Sequence, residues 1–170
     1  VALASDLYTA DSVLIGRFYI ENRTHVTYEN MSPWLSKALI ATEDVRFYKH
    51  NGLDVFAVFS SLWQTAKGDN RGGSTITQQL VKNIFKTRSA SKQGLLSKVP
   101  FLRTIIIKSK EWITAIRLEF YFSKKQILEL YFNTVDFGNN WYGIQVASNN
   151  YFNTPPAQLK IEQASLLIGM

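Results

Sequence analysis

Residues 41–54 read ATEDVRFYKHNGLD, and the stretch before them predicts a helix. Ser32 and Pro33 are typical of a helix start. Apolar residues then recur at steps of three and four along one helix face: Trp34, Leu35, Ala38, Leu39 and Ala41. This helix would present Glu43 at its C-terminal end, where the helix dipole and the neighbouring Asp44 both raise the proton affinity of a carboxylate. A raised proton affinity suits a general base, whereas solvated charges paired with nearby basic residues are the ordinary alternative.

The composition predicts a single folded domain. The chain has 170 residues and is 46% hydrophobic, which is enough for one core. It starts at Val1 and ends on an apolar run, residues 166–170, as we expect of a piece cut from a longer protein. No stretch approaches the roughly 18 apolar residues of a membrane span and no signal peptide is present, so we expect any anchor to lie outside this fragment. With no cysteine, disulfides and thiolate metal sites are excluded.

The net charge of +6 is concentrated in one segment. Residues 71–110 contain nine basic residues and no acidic residue. Such a segment favours an anionic partner, which could be a phosphate group, an anionic membrane surface or a nucleic acid. A solvated basic face is the alternative.

A glycine-led stretch, residues 72–83 (GGSTITQQLVKN), predicts a second helix start. Thr75 with Gln78 three residues later forms a capping box, and free backbone N–H groups at such a start favour an anion. Lys82 follows two turns later on the same face as Thr75. The stretch therefore predicts an anion site, with an ordinary glycine loop and a capped helix as the alternative.

The rest of the chain predicts further helices and one irregular basic segment. Residues 7–28 favour a short hairpin or extended arm with a turn at Asp11 and Ser12, and residues 54–67 predict a helix that packs in the core. Residues 84–102 mix basic and apolar side chains, which is typical of a segment that dips into a membrane surface, or of a flexible loop. Apolar residues then predict a helix over 104–122, Ser123 with Gln126 caps the next one, and residues 154–156 open the last.

Five motifs resemble the signatures of the peptidoglycan glycosyltransferases, family 51, in that family's order. The first, E-D-x-x-F-x-x-H-x-G, covers residues 43–52, and the second, G-x-S-T-I-T-Q-Q-x-x-K-N, covers residues 72–83. The third, R-x-x-x-R-K-x-x-E, covers residues 103–111 but has isoleucine at its second arginine position. The fourth, K-x-x-I-L-E-x-Y-x-N, covers residues 124–133, and the fifth, G-x-x-x-A-x-x-x-Y-F, covers residues 143–152.

This resemblance implies a mainly α-helical fold, with a lysozyme-like helical lobe, a smaller membrane-proximal lobe and a short N-terminal β or extended arm. We expect residues 1–170 to be one peptidoglycan glycosyltransferase domain, truncated at the C-terminus. The arm would occupy residues 1–30, the catalytic helical domain residues 31–170, and a mobile basic segment residues 84–102 within it.

The resemblance implies that lipid II is polymerised, with inversion, into β-1,4-linked glycan strands, and that undecaprenyl pyrophosphate is released. Glu43 would take the proton from the acceptor 4-hydroxyl, and Glu111 would be the second catalytic carboxylate, near the oxocarbenium-like donor centre. Arg103 would compensate for Ile107 on the diphosphate. The other expected substrate-binding residues are Asp44, Phe47, His50, Ser74, Thr75, Gln78, Gln79, Lys82, Asn83 and Lys108. Residues expected to be structural are Gly73, Lys124, Glu129, Tyr131, Asn133 and Gly143.

The implied partners are lipid II, the growing glycan strand, the membrane surface and moenomycin-type inhibitors, at the outer, periplasmic face of the bacterial cytoplasmic membrane. A divalent cation, Mg²⁺ or Mn²⁺, could accompany the donor pyrophosphate, although the sequence has no ligand cluster that demands a metal. No organic cofactor is expected. Nucleic acid is not an expected partner, because the basic residues alternate with aliphatic rather than aromatic side chains.

Two other classes of function remain open from the residues alone. A lysozyme-like muramidase would also use a glutamate, but it would have no use for a basic segment suited to pyrophosphate. A non-catalytic membrane- or glycan-binding module would keep the basic, apolar surface and would need neither carboxylate. The products formed from lipid II distinguish all three.

Overall fold

A computed structural model of the chain describes residues 5–12, 14–18, 24–66, 73–85 and 100–170. The fold is mainly helical, as predicted. Its elements in chain order are β1 (Ser5–Tyr8), β2 (Leu14–Phe18), α1 (Pro33–Glu43), α2 (Val55–Ala66), α3 (Ile76–Phe85), α4 (Pro100–Tyr121), α5 (Lys124–Thr134), α6 (Ile144–Phe152) and α7 (Ile161–Ile168). Short 3-10 turns lie at Tyr28–Asn30, Phe47–Lys49 and Pro156–Gln158.

Two compact units share these elements. The terminal unit consists of the described residues up to Leu39 together with Leu128–Met170, and the central unit is formed by the described residues of Ile40–Ile127. Most of the predicted basic segment, residues 86–99, lies outside the described residues. Its two ends do not form the predicted irregular segment, because α3 continues to Phe85 and α4 begins at Pro100.

The predicted N-terminal hairpin is present. β1 pairs antiparallel with β2, from Ser5 opposite Phe18, with an irregularity at Leu7 and Tyr8. The turn falls where the sequence predicts it, since the Ser12 amide donates to the Thr9 carbonyl oxygen at 3.0 Å.

Side chains of α1, α5, α6 and α7 form the core of the terminal unit. Ser32 precedes α1, and its hydroxyl donates to the Leu159 carbonyl oxygen at 2.7 Å, which ties the helix start to the segment before α7. The buried core residues include Leu35, Leu39, Leu128, Phe132, Ile144, Ala147, Leu159, Ala164 and Leu167. The last helix begins later than predicted, because the prolines at 155 and 156 lead into a 3-10 turn and α7 starts only after Lys160.

In the central unit, α3 packs against α4. Its buried side chains are Phe47, Ile76, Leu80, Val81, Ala115 and Ile127. The predicted core role of α2 is wrong, since Phe56, Phe59 and Trp63 are 79%, 68% and 68% exposed. Helical periodicity identifies an apolar face but not what covers it, so the pattern of α2 is compatible with an apolar surface.

Candidate active site

The end of α1 fixes the position of Glu43. The helix ends at this residue, as predicted. The next amide, that of Asp44, still donates to the Ile40 carbonyl oxygen at 3.2 Å, and the Asp44 carbonyl oxygen accepts from the Phe47 amide at 2.9 Å. The ring of Phe47 is fully buried, whereas Glu43 is exposed. The buried ring of Phe47 therefore holds in place the turn that follows the accessible carboxylate of Glu43.

Gln79 on α3 holds the carboxylate of Glu43. Its Nε2 donates to Glu43 Oε2 at 2.7 Å. One such bond uses one of roughly four acceptor positions on a carboxylate, so Glu43 keeps the capacity to accept a proton. The residue predicted as the base is thus oriented by a residue predicted to line the substrate site.

The carboxylate of Asp44 bonds to groups of the protein itself. Both of its oxygens lie 3.0 Å from His50 Nε2, and Oδ2 accepts from the Ile76 amide at 3.1 Å. The other ring nitrogen of His50, Nδ1, is buried without a hydrogen-bond partner. The sequence predicted that the start of α3 would bind a ligand anion. Instead, the first amide of α3, that of Ile76, donates to a carboxylate of the chain itself.

Gly52 joins the first two signatures. Its carbonyl oxygen accepts from Thr75 Oγ1 at 2.8 Å and from Gln78 Nε2 at 3.2 Å. Thr75 also caps α3, by accepting from the Gln78 amide at 3.2 Å. A Cβ at Gly52 would lie 2.7 Å from backbone atoms of Ala115, and φ is +83°, so only glycine fits this position. The predicted capping box is half formed, because the Gln78 side chain reaches Gly52 instead of the helix start.

Lys108 connects α4 to the second signature. Its Nζ lies 3.1 Å from Glu111 Oε2 and 3.3 Å from Ser74 Oγ. Glu111 is 1% exposed, while the Lys108 side chain is 36% exposed. Ile107 is half-buried. The backbone of Arg103 lies in α4, but its side chain falls outside the described residues, so its predicted phosphate contact stays a prediction.

A cleft of about 580 Å³ opens beside Glu43. The residues that line it are Glu43, Asp44, Val45, Arg46, Asp54, Phe56, Ala57, Ser60, Ser61, Gly73, Ser74 and Thr75. Glu111 is not among these residues, and Lys108, which contacts both Glu111 and Ser74, connects it to the cleft wall. The sequence pattern assigned α2 to the core and did not predict that one face of this helix lines the cleft.

Gly73 sets how closely α2 approaches the second signature. A Cβ there would lie 2.5 Å from Ser61 Oγ, which is closer than real Cβ contacts, and 3.0 Å from the Ala57 carbonyl oxygen. The structural role of this residue stays a prediction. Gly73 lets α2 form one wall of the cleft directly against the loop that carries Ser74.

Arg46 and Asp54 form an ion pair at the cleft. Arg46 Nε lies 2.7 Å from Asp54 Oδ2, and Asp54 Oδ1 accepts from the Ala57 amide at 3.0 Å, which caps α2. Burial alone would raise the pKa of Asp54, but the bonds from Arg46 and Ala57, with the charges of Arg46 and His50, hold that pKa below its usual value. The same bond raises the pKa of Arg46.

Asp44, His50 and Asp54 offer ligand atoms within 4.8 Å of one another, close enough for a metal ion. The hydrogen bonds given above already occupy the carboxylate oxygens of Asp44 and Asp54 and the Nε2 atom of His50. Metal ligands need lone pairs directed at the ion, and the Arg46 guanidinium beside Asp54 opposes a second cation. These residues therefore do not fit a resident metal.

Residues of the fourth and fifth signatures make hydrogen bonds and packing contacts with the backbone. Asn133 accepts from the Val26 amide at 2.8 Å and donates to the Val26 carbonyl oxygen at 2.7 Å, and Glu129 accepts from the Tyr28 amide at 2.8 Å. Tyr131 is buried, and a Cβ at Gly143 would lie 3.3 Å from the Asn133 carbonyl oxygen. Lys124 Nζ donates to the His50 carbonyl oxygen. On α3, Lys82 and Asn83 are half-buried.

A family model described as "Transglycosylase" matches residues 11–170. The chain belongs to this transglycosylase family. Penicillin-binding protein 1F of Bacillus subtilis (strain 168) is 39% identical over 158 residues, which is 92% of this chain and 20% of that protein. Penicillin-binding protein 1A of Escherichia coli (strain K12) is 36% identical over 166 residues, 96% of this chain and 18% of that protein.

A shorter relative of the transglycosylase chain is the biosynthetic peptidoglycan transglycosylase of Dechloromonas aromatica (strain RCB). It is 39% identical over 147 residues, which is 85% of this chain and 58% of the relative. The chain thus spans about a fifth of the two penicillin-binding proteins and just over half of this relative. Among the described residues, no helix has the length and apolar character needed to cross a membrane.

Proposed function

We propose that the protein is a peptidoglycan glycosyltransferase that polymerises lipid II into β-1,4-linked glycan strands and releases undecaprenyl pyrophosphate. The observation that carries this proposal is the exposed carboxylate of Glu43, at the wall of the cleft and bound by Gln79 at 2.7 Å. Membership of the transglycosylase family supports the reaction class.

Glu43 acts as the general base. It accepts the proton of the acceptor 4-hydroxyl as that oxygen attacks C1 of the donor sugar, and the bond from C1 to the pyrophosphate oxygen breaks. Direct attack from the face opposite the leaving group converts the α-linked donor into a β-1,4 bond. Gln79 restricts the carboxylate to an orientation in which one oxygen can face the hydroxyl.

The leaving pyrophosphate requires cations, and we assign this role to Lys108, which contacts the cleft wall at Ser74. Its Nζ lies 3.3 Å from Ser74 Oγ and its side chain is partly exposed. A charged donor in a partly desolvated site stabilises the negative charge that develops on the leaving group. Lys82 and Arg103 are proposed to assist it, and Glu111 holds Lys108 in place through the 3.1 Å ion pair.

A divalent cation, Mg²⁺ or Mn²⁺, is proposed to arrive with the donor pyrophosphate instead of residing at Asp44, His50 and Asp54. The carboxylate oxygens of Asp44 and Asp54 and the Nε2 atom of His50 already bond to protein groups. A bound divalent ion would screen the charge of the phosphates. No step of the reaction described here depends on it.

The apolar face of α2 is proposed to contact the membrane surface. Val55, Phe56, Phe59 and Trp63 are each more than half exposed, and Phe56 also lines the cleft. Exposed aromatic residues on one helix face favour insertion into the boundary between head groups and acyl chains. This contact would place the cleft beside a lipid-linked substrate at the outer, periplasmic face of the bacterial cytoplasmic membrane.

The proposal is tested by incubating the purified protein with fluorescent lipid II in detergent micelles and separating the products on a gel. A ladder of glycan polymers that lysozyme digests is the expected result, and moenomycin, proposed to occupy the same cleft, should abolish it. The Glu43→Gln variant serves as the inactive control. Cleavage of preformed glycan strands would instead identify a muramidase, and binding of lipid II without turnover would identify a binding module.

A further inference from the structure

Glu119, on α4, belongs to none of the five signatures, yet its carboxylate is 3% exposed and binds two other segments. Its Oε1 accepts from Thr77 Oγ1 on α3 at 2.5 Å. Its Oε2 accepts from Lys124 Nζ, at the start of α5, at 2.5 Å. A carboxylate this far removed from water requires partners, and both of its oxygens have them.

Lys124 extends the connection to the first signature. Its Nζ donates to the His50 carbonyl oxygen at 2.7 Å and lies 4.3 Å from the centre of the Phe47 ring. His50 and Phe47 belong to the turn that follows Glu43. The ion pair between Glu119 and Lys124 therefore has one end on this turn and the other on α3.

The two connected segments are those that carry Glu43 and its partner Gln79. Thr77 is fully buried and lies two residues before Gln79 on α3. Buried ion pairs contribute little net stability compared with apolar side chains of the same volume, because their desolvation opposes their attraction. The distinctive effect of this pair is a fixed geometry between the two segments.

We propose that Glu119 is a positioning residue for the reaction. Together with Lys124 and Thr77 it holds the turn after Glu43 and the start of α3 at the separation that the bond from Gln79 to Glu43 requires. This inference rests on the proposed function. Glu119 touches no substrate, and its effect on the rate passes through the orientation of Glu43.

Thr77→Val tests the proposal with the smallest change, because valine keeps the branched shape while removing the hydroxyl that donates to Glu119. Glu119→Gln removes the charge that pairs with Lys124. Misplacement of a catalytic group by about 1 Å can cost about a hundredfold in rate. Both variants should therefore lower kcat for lipid II by about tenfold to a hundredfold, with KM for lipid II nearly unchanged. Thr77→Ser, which retains the hydroxyl, should keep the wild-type kcat.

Glu129→Gln is the matched control for a purely structural loss. It also weakens bonds of a half-buried glutamate, but those bonds reach Tyr28 and His25 in the terminal unit. It should lower the thermal unfolding midpoint while leaving kcat at the wild-type value, when both are measured well below that midpoint.

A wild-type kcat in Thr77→Val, or an equal loss of kcat in Glu129→Gln, would overturn the positioning role while leaving the proposed function intact. Should Glu119→Gln fail to fold, Thr77→Val decides the question, because it leaves the ion pair in place. If the wild-type protein does not turn over lipid II at all, the proposed function fails, and the positioning role fails with it.

Discussion

Glu43 in the central unit and Glu129 in the terminal unit are both signature glutamates, but their surroundings differ. Glu129 accepts from the backbone amide of Tyr28 at 2.8 Å and lies 3.3 Å from His25 Nε2. Glu43 is exposed at a cleft, and the bond that orients it comes from an amide side chain. A carboxylate that binds backbone stabilises the scaffold, whereas an exposed carboxylate oriented by a neighbour can exchange protons with a ligand. The signatures predicted these two roles, and the surroundings of each carboxylate give the physical reason for the difference.

Among the substitutions that test this comparison, Glu43→Gln should have the largest effect, and that effect should be on kcat. The amide keeps the shape of the side chain but cannot accept the hydroxyl proton, and loss of a positioned base costs about 10²–10⁴ in rate. We expect kcat for lipid II to fall by that factor, while binding of lipid II and the far-ultraviolet circular dichroism spectrum stay those of the wild type. Activity within about threefold of wild type would remove Glu43 from the base role, since general-base catalysis exceeds that factor.

Glu129→Gln should instead lower the stability of the fold and leave kcat unchanged. Its effect in free energy should be smaller than that of Glu43→Gln. The loss of charged hydrogen bonds to Tyr28 and His25 should lower the free energy of unfolding by about 1–3 kcal/mol, measured by urea denaturation. The kcat of the folded variant should not change. A loss of kcat with unchanged stability would show that the contrast between the two glutamates is false.

Asp54 sharpens the comparison, because it lies at the cleft but binds like a scaffold residue. Its lowered pKa means that its ionised form stabilises the fold. That contribution is complete above the unfolded-state pKa of about 3.9 and is lost as pH falls through the lower folded-state value. The Arg46 side chain is 46% exposed, so the effect should be only about 1 kcal/mol.

The measurement for Asp54 is urea unfolding of the wild type and of Asp54→Asn at a series of pH values. The difference in unfolding free energy should be greatest near pH 7 and shrink below about pH 4. A difference that stays constant across this range would show that the ionisation of Asp54 does not contribute to stability.

Local patterns in the sequence predicted one end of each of two helices. The end of α1 at Glu43 and the cap of α5, where the Ser123 amide donates to Gln126 Oε1 at 2.9 Å, depend on neighbours within a few residues. The bond from the Ile76 amide to Asp44 joins residues 32 apart, so the pattern at Thr75 predicted an anion site without showing which anion occupies it.

Other parts of the site depend on contacts that a sequence pattern does not encode. The exposed face of α2 has the same periodicity as a core helix, and only the structure shows that Phe56 lines a cleft. The sequence pattern assigned no role to Glu119, because one of its partners, Thr77, is 42 residues away. A charged residue on an apolar helix, five positions before a signature lysine, was the available signal. The role of Ile107 in the third signature stays a prediction.

The carbonyl oxygen of Gly52 accepts from two side chains at once, Thr75 and Gln78, and this makes their energies interdependent. Loss of either donor leaves the other on the same oxygen, so each single substitution should cost little at this position. Loss of both leaves a buried acceptor without these bonds, which costs about 1–3 kcal/mol. The coupling energy in a double-mutant cycle should therefore be large, because each single substitution removes only one of the two bonds to this oxygen.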